Sequence, residues 1–391
     1  MKSIYQTMNR KYDVIVVGGG PTGSTAARIC AKSGLSTLLV EEQAHIGYPV
    51  QCAGLLSNSA FTECEVSDSS VLNIVSGADV LAGKAMCSFD AGRDMAYVVD
   101  RGALDHEMIT ASADAGADIR LKTIASAVSR TSRSLYLKGL YGKEQIEYSM
   151  LIAADGPRSS ISRMIGIPRA PVYLSGLQCD VACSTPTEHV RIFPNAAPDF
   201  FGWMIPIHPE RTRIGLCGIH QVQELFQKFI QPYKKACTHF VSGTIPLGTL
   251  TRTYDDRILI AGDAAAMAKP TSGGGVYTGI RAARHAARVA TEAIEQSDYS
   301  IQKMKTYEHS WKADFGHEIR KGFYMYTIRQ QVSIQDMERI IEILADPKIR
   351  EIISKKGDID RPSHLITSLM QNPLMIPAWY LMGKSLLKSL I

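Results

Sequence analysis

The chain has 391 residues, enough for two or three domains with an ample core. At 45% hydrophobic, 21% charged and a net charge of +5, it reads as an ordinary globular protein, without the basic runs interleaved with aromatics of a nucleic-acid binder. Its eight cysteines form no C-x-x-C pair and no metal-ligand set, no apolar run approaches the roughly 18 residues of a membrane span, and the polar stretch Met1 to Lys11 has no signal core. These features predict free thiols, no metal and a cytoplasmic setting, with a mild positive charge that tolerates an anionic membrane face.

The first clear element runs from Asp13 to Arg28. The β-branched run Val14 to Val17 predicts a parallel strand buried on both faces. Gly18, Gly20 and Gly23 then supply G-x-G-x-x-G spacing: a sharp turn, a close approach for a pyrophosphate, and a helix lying near the strand. Pro21 suits the helix's first turn, whose free N–H groups favour an anion. A second strand, Ser36 to Val40, ends at Glu41, where a carboxylate can bind ribose hydroxyls.

Ile46 to Ser57 is a loop marked by Gly47, Pro49 and Gly54, and its Cys52 has an evident route to a cofactor face. Residues 60–95 read as short strands and turns. Ala96 to Arg101 is a strand entering a helix, Gly102 to Gly116, on which Arg101 and Asp105 face each other as a surface ion pair. Segments 118–127, 134–141 and 145–153 read as strands, with a hairpin about Tyr141. Met150 to Ser159 is a buried strand ending at Asp155-Gly156. Residues 173–250 alternate and contain Phe200-Phe-Gly-Trp-Met-Ile-Pro206 and Arg213 to Gly218. Arg257 to Ala264 is another buried strand ending at Gly262-Asp263. Pro270 and Gly273 to Gly275 then lead into a long helix from about Val276 to Glu295, with Arg281, Arg284 and Arg288 on one pairing face. Residues 301–391 read as helical. The tail from Pro373, with Trp379, Tyr380, Lys384 and Lys388, is a core-packing helix first and an interfacial helix second.

Three strand ends sharing one cofactor resemble the glutathione-reductase-like FAD fold, in the para-hydroxybenzoate hydroxylase subgroup. The implied class is α/β, with a mixed β-sheet substrate domain and a helical C-terminal region. The resemblance implies an FAD-binding domain from 1–59, 96–165 and 251–300, a substrate domain from 60–95 and 166–250, and a helical region over 301–391. It implies Glu41 at the adenosine ribose, with Pro21, Thr22 and Glu42 among the cofactor-binding residues. Arg101 lies along the FAD, and Ala154, Asp155 and Gly156 near the nucleotide. Asp263 falls at the ribityl or pyrophosphate part. Pro270, Gly273, Gly274, Gly275 and Val276 fall near the pyrimidine end of the flavin, where a helix start stabilises the reduced ring.

A finer resemblance is to the geranylgeranyl reductase family. The stretch Ile46 to Ser57, with Cys52, Ala53 and Gly54, is similar to its P-x-x-C-x-x-G flavin loop. Phe201-Gly-Trp-Met-Ile-Pro206 with Ile214 to Gly218 is similar to its Y-x-W-x-F-P…V-G-x-G signature, and Ala261 to Gly275 fits closely. This resemblance implies saturation of prenyl double bonds in archaeal-type ether lipids or prenyl diphosphates. Phe201, Trp203, Met204, Ile205 and Gly218 line the prenyl site, and Cys52 and Trp203 are candidate catalytic residues. An isolated alkene has no carbonyl to polarise, so it must be held against the flavin in a dry groove. The rival readings are a flavin-dependent halogenase or monooxygenase, with Lys84 near a halogenase lysine, and a non-catalytic FAD electron carrier. No second dinucleotide fingerprint occurs, which points to an external donor, ferredoxin or NAD(P)H. The partners otherwise expected are the lipid and peripheral contact with the inner membrane face.

Overall fold

The computed structural model describes residues 11–140 and 142–388; Met1 to Arg10, Tyr141 of the expected hairpin turn and Ser389 to Ile391 lie outside them. Among the described residues, an eight-stranded sheet carries the nucleotide elements. Lys11–Val17 pairs in parallel with Gly142–Ala153 on one side and Thr37–Val40 on the other. Ile258–Ile260 and Asp118–Arg120 extend the parallel array. Val14, Ile15 and Val16 are fully buried, as are Leu38, Leu39 and Val40. Burial on both faces explains why these strands show apolar runs rather than alternation. Helix Pro21–Lys32 packs on helix Val276–Glu295 through small residues, Ala26 and Ala27 sharing one core with Ala282, Ala283 and Ala286.

The second sheet has seven strands, in the order Cys237–Leu247, Val172–Ala182, Arg211–Gly218, Gly202–His208, His189–Phe193, Gly77–Ala82, Ala85–Asp90. It is antiparallel except where His189–Phe193 meets Gly77–Ala82. One face is covered by helix Val222–Phe229, which packs on Cys179, Val181, Met204, Ile214 and Leu216. The opposite face turns toward the nucleotide sheet. A three-stranded sheet of Leu55–Ser57, Ala96–Val99 and Val71–Val75 bridges the two.

The helices after residue 300 split by role. Tyr307 and Trp311 of Ile301–Trp311 join the main core. Later helices form a cluster of their own, built from Ile340, Ile349, Leu369, Met375, Ala378 and Leu381. Met337 and Ile341 tie that cluster to the end of the second sheet at Ala82, Ala85 and Cys87. The tail helix, Ile376–Lys388, is amphipathic: Ala378 and Leu381 pack inward, whereas Ile376 and Tyr380 are exposed.

Three readings need correction. Residues 60–95 open inside a helix, Asn58–Cys64, capped by the Ser57 hydroxyl; its seven residues are too few to show a periodic pattern. Helix Val222–Phe229 was likewise hidden within the alternating region. The single strand expected over 118–127 breaks into Asp118–Arg120 and Ile124–Ser129, because Lys122 between them has φ +50°.

Candidate functional site

A cavity of about 1190 Å³ separates the nucleotide sheet from the second sheet. The strand ends Val17, Ala154 and Asp263 and the loop around Cys52 all open onto it. Its nucleotide wall is mostly backbone. Gly18 has φ +106°, and a Cβ there would lie 2.2 Å from the Ala154 carbonyl oxygen. A Cβ on Gly23 would lie 1.8 Å from the Gly18 oxygen, so only glycine lets this helix sit so close to its strand. Gly20 has open space at its Cβ position, so the turn offers bare backbone to the cavity.

Helices Pro21–Lys32 and Val276–Glu295 start at this cavity without a side-chain cap. Helix starts at Ser57, Asp100, Ser159, Ser300 and Ser333 are all capped by their own side chains. The two open helix starts therefore keep N–H donors and positive dipole ends free for an anionic guest.

Two acids shape the same wall. Glu41 accepts from the Gly19 N–H at 2.6 Å and the Gln43 N–H at 2.8 Å, which fixes its carboxylate at the cavity edge. Asp263 is different: its buried Oδ1 has no hydrogen-bond partner. Burial raises its pKa from 3.8 to about 6, against the pull of the Arg101 charge. Gly275 makes room for it, since a Cβ there would lie 2.4 Å from Asp263 Oδ1.

The opposite wall is made of side chains. Along Gly202–His208 and the residue before it, the cavity receives Phe201, Trp203 and Ile205. Phe200 stacks on Phe201 at 4.4 Å between centroids, and Phe201 meets Trp203 edge-on at 6.3 Å. The Cys52 loop is pinned between the two halves. Gln178 donates to the Cys52 carbonyl at 2.9 Å, and Arg213 donates to the Ala53 carbonyl at 2.9 Å while paired with Asp180. Arg101 makes a two-pronged pair with Asp105, Nη2 lying 3.0 and 2.9 Å from its two oxygens. Burial works against the Arg101 charge, but the paired Asp105 carboxylate outweighs it and holds its pKa above the ordinary value.

Several expectations change here. The Arg101–Asp105 pair is buried in the cavity wall, not on the surface, because the helix that carries it lies under the Cys52 loop. Met204, expected at the substrate site, does not line the cavity: alternation along its strand turns it into the core on the far face. Gly218 lies off the cavity near Val222 and Ala197, where the strand ends. Gly23, Gly54, Gly262 and Pro270 also stand behind the wall rather than in it. Gly54, with φ +74°, lies against Val99, Gly262 against Thr22, and Pro270 against the helix carrying Gly322. Asp155 reaches the cavity, but its carboxylate is engaged with Ser159, Ser160 and Ile161 at the start of the next helix. Glu42, Ala53, Gly156, Gly273, Gly274 and Val276 do line the cavity. Lys84 is exposed in a hairpin turn away from it.

The partnerless Asp263 oxygen, the bare Gly20 turn and the two uncapped helix starts fit a dinucleotide with hydroxyl and phosphate groups. The FAD dependent oxidoreductase family profile matches residues 13–65. Digeranylgeranylglycerophospholipid reductase 2 of Methanothermobacter thermautotrophicus is 29% identical over 368 residues, covering 88% of this chain and 94% of that protein. The crystal structure of a geranylgeranyl bacteriochlorophyll reductase-like protein from Thermoplasma acidophilum superposes with a TM-score of 0.83 at 27% identity, covering 93% of this chain and 99% of that one. The chain is an FAD-dependent oxidoreductase, similar over most of its length to proteins named as digeranylgeranylglycerophospholipid reductases. The flavin-dependent halogenase CmlS, 16% identical with a TM-score of 0.66 over 94% of this chain and 71% of that one, shares the fold.

In this FAD-dependent oxidoreductase the cavity adjoins several polar residues that spacing alone did not reveal. Gln178, Arg213 and Asp180 hold the Cys52 loop through strand register. Lys269, Asp360 and Ser57 form a buried hydrogen-bonded group beside the Gly273–Gly275 turn. Strand alternation in the second sheet was the available signal for Gln178 and Arg213. Asp360 arrives on a loop far down the chain and left none.

Proposed function

We propose that this oxidoreductase saturates isolated double bonds in the prenyl chains of an isoprenoid lipid. The observation that carries the reading is the continuity of the cavity. It runs from the nucleotide wall past Cys52 into an apolar slot of Val75, Ala78, Phe89, Val190, Ile192, Phe201, Trp203 and Ile205, and on to Ile353 and Leu365. An unactivated alkene offers no polar handle, so shape and water exclusion must hold it. Trp203 is packed hard against Gly215, where a Cβ would lie 2.5 Å from its ring, and so gives the slot a rigid side.

Bound and reduced, FAD supplies a hydride to one alkene carbon. The chain supplies the proton for the other carbon, and the Cys52 thiol is the donor we assign. Its thiolate would form beside the buried Arg101 guanidinium and regain a proton from water. The net change is addition of H₂ to the lipid and two-electron oxidation of the cofactor. Gly273–Gly275 and the helix start at Val276 would hold the pyrimidine end of the ring, and Glu41 and Asp263 would accept from hydroxyls. Electrons come from an external donor, ferredoxin or NAD(P)H.

No helix among the described residues is long and apolar enough to cross a membrane. Peripheral contact belongs to the same proposal, through the exposed Met370, Leu374, Ile376 and Tyr380. The test is mass spectrometry of lipid carried by the purified yellow protein, followed by anaerobic incubation of that lipid with dithionite-reduced enzyme. The expected result is a mass gain of one H₂ per double bond, slowed about 100-fold by Cys52→Ala with FAD retained. Halogenation or hydroxylation that needs oxygen, with no alkene reduction, would overturn the reading.

A further inference from the structure

Lys269 is an unusual residue to find beneath a cofactor turn. It is 6% exposed, and its Nζ donates to the Asp360 carboxylate and, at 3.1 Å, to the Ile359 carbonyl. Its backbone closes the turn: the Lys269 N–H donates to the Gly274 carbonyl at 3.0 Å, and the Gly273 N–H donates to the Lys269 carbonyl at 2.7 Å. The side chain then runs under the turn, so a Cβ on Gly274 would lie 3.6 Å from Nζ. Asp360 is 3% exposed and accepts a second hydrogen bond from Ser57, the residue capping Asn58–Cys64. Its loop is set by Asp358, whose carboxylate accepts from the Asp360 and Arg361 N–H groups at 2.7 and 3.0 Å. A fixed cation therefore stands at the Gly273–Gly275 turn, and its counter-charge is delivered from the C-terminal region.

We propose that the Lys269–Asp360 pair sets the reduction potential of the bound flavin, Lys269 favouring the reduced, anionic ring and Asp360 holding that influence down. The inference rests on the placement of the pyrimidine end at Gly273–Gly275 given above. A charge buried this close is poorly screened, so neutralising either partner changes the potential felt across the turn. The two partners act with opposite sign. Removing the cation disfavours the extra negative charge of reduced flavin, and removing the carboxylate favours it. A merely structural pair would not behave so, since losing either partner would loosen the same contact.

The experiment equilibrates holoprotein anaerobically with a reference dye and reads the ratio of reduced to oxidised flavin. Lys269→Met should lower that ratio about tenfold, equivalent to about 30 mV for a two-electron couple. Asp360→Asn should raise it severalfold, Lys269→Arg should stay near wild type, and the double variant should fall between the two single charge-removing variants. Shifts of the same sign in Lys269→Met and Asp360→Asn, or no shift in either with FAD fully bound, would overturn the proposal. If Lys269→Met fails to fold, the direction of the shift in Asp360→Asn still decides the sign. A wild-type protein that binds no flavin would defeat the cofactor placement instead, a distinct outcome visible before any variant is made.

Discussion

On the nucleotide side the cavity wall is peptide backbone: Gly18, Gly20 and the Gly273–Gly275 turn, with two helix starts left uncapped. On the opposite side the wall is side chain: Phe201, Trp203 and Ile205 on alternate strand positions, closed off by Ile353 and Leu365 from distant helices. Phosphates and ribose hydroxyls need N–H groups and fixed carboxylates at short range, and a thin backbone supplies them. A hydrocarbon chain needs only apolar area and the absence of water, which many side-chain combinations supply. The first wall should be intolerant of a single methyl group, the second graded in its response.

The sharpest way to break that contrast is Gly23→Ala. The new methyl would sit 1.8 Å from the Gly18 oxygen, and Gly18 cannot retreat because its own Cβ position lies 2.2 Å from Ala154. The expected result is a colourless protein with stability lowered by about 3 kcal/mol or more, read from the flavin-to-protein absorbance ratio and a urea melt. A yellow, stable Gly23→Ala protein would mean that the helix can slide and that the backbone wall is not rigid.

On the side-chain wall, two neighbouring positions should separate cleanly. Met204 packs in the far core with Ile214 and Leu216. Met204→Ala should cost about 3 kcal/mol in stability and leave KM for the lipid unchanged. Phe201→Ala should leave the melt near wild type and lower kcat/KM about tenfold. If both variants change KM alike, the strand does not present alternate residues to the lipid.

The same contrast explains what could be read from the chain beforehand. The glycine fingerprint, Glu41, Asp155-Gly156 and Gly262-Asp263 are local patterns, each a strand end followed by a turn, and the sheet sets those four strands side by side. Met204 was misplaced although period-two alternation with Phe201, Trp203 and Ile205 already turned it away. The burial of Arg101–Asp105 depends on the loop folded over it, and i,i+4 spacing alone is silent about that cover. Gln178 and Arg213 act on the Cys52 loop through the register of a sheet. Asp360 reaches Lys269 through tertiary packing, where no spacing rule applies.

The smallest expected effect concerns Asp263, where backbone wall and titratable side chain meet. Its folded pKa, about 6, lies above the ordinary 3.8 because of burial. An acid with a raised folded pKa binds its proton more tightly folded than unfolded. Its favourable contribution is therefore present below about pH 4 and lost as the pH rises through about 6. Apoprotein should lose on the order of 1–2 kcal/mol across that window, and Asp263→Asn should remove the slope in urea melts taken from pH 4 to 7. FAD should act in the opposite sense. Ribityl hydroxyls donating to the carboxylate favour its ionised form, so FAD affinity should strengthen as the pH passes 6 in wild type and stay flat in Asp263→Asn. A phosphate beside Asp263 would reverse that sign, because two anions repel and the proton would be retained. Affinity that weakens with rising pH would therefore place the pyrophosphate at Asp263 and shift the whole cofactor along the groove, carrying its reactive ring away from Cys52.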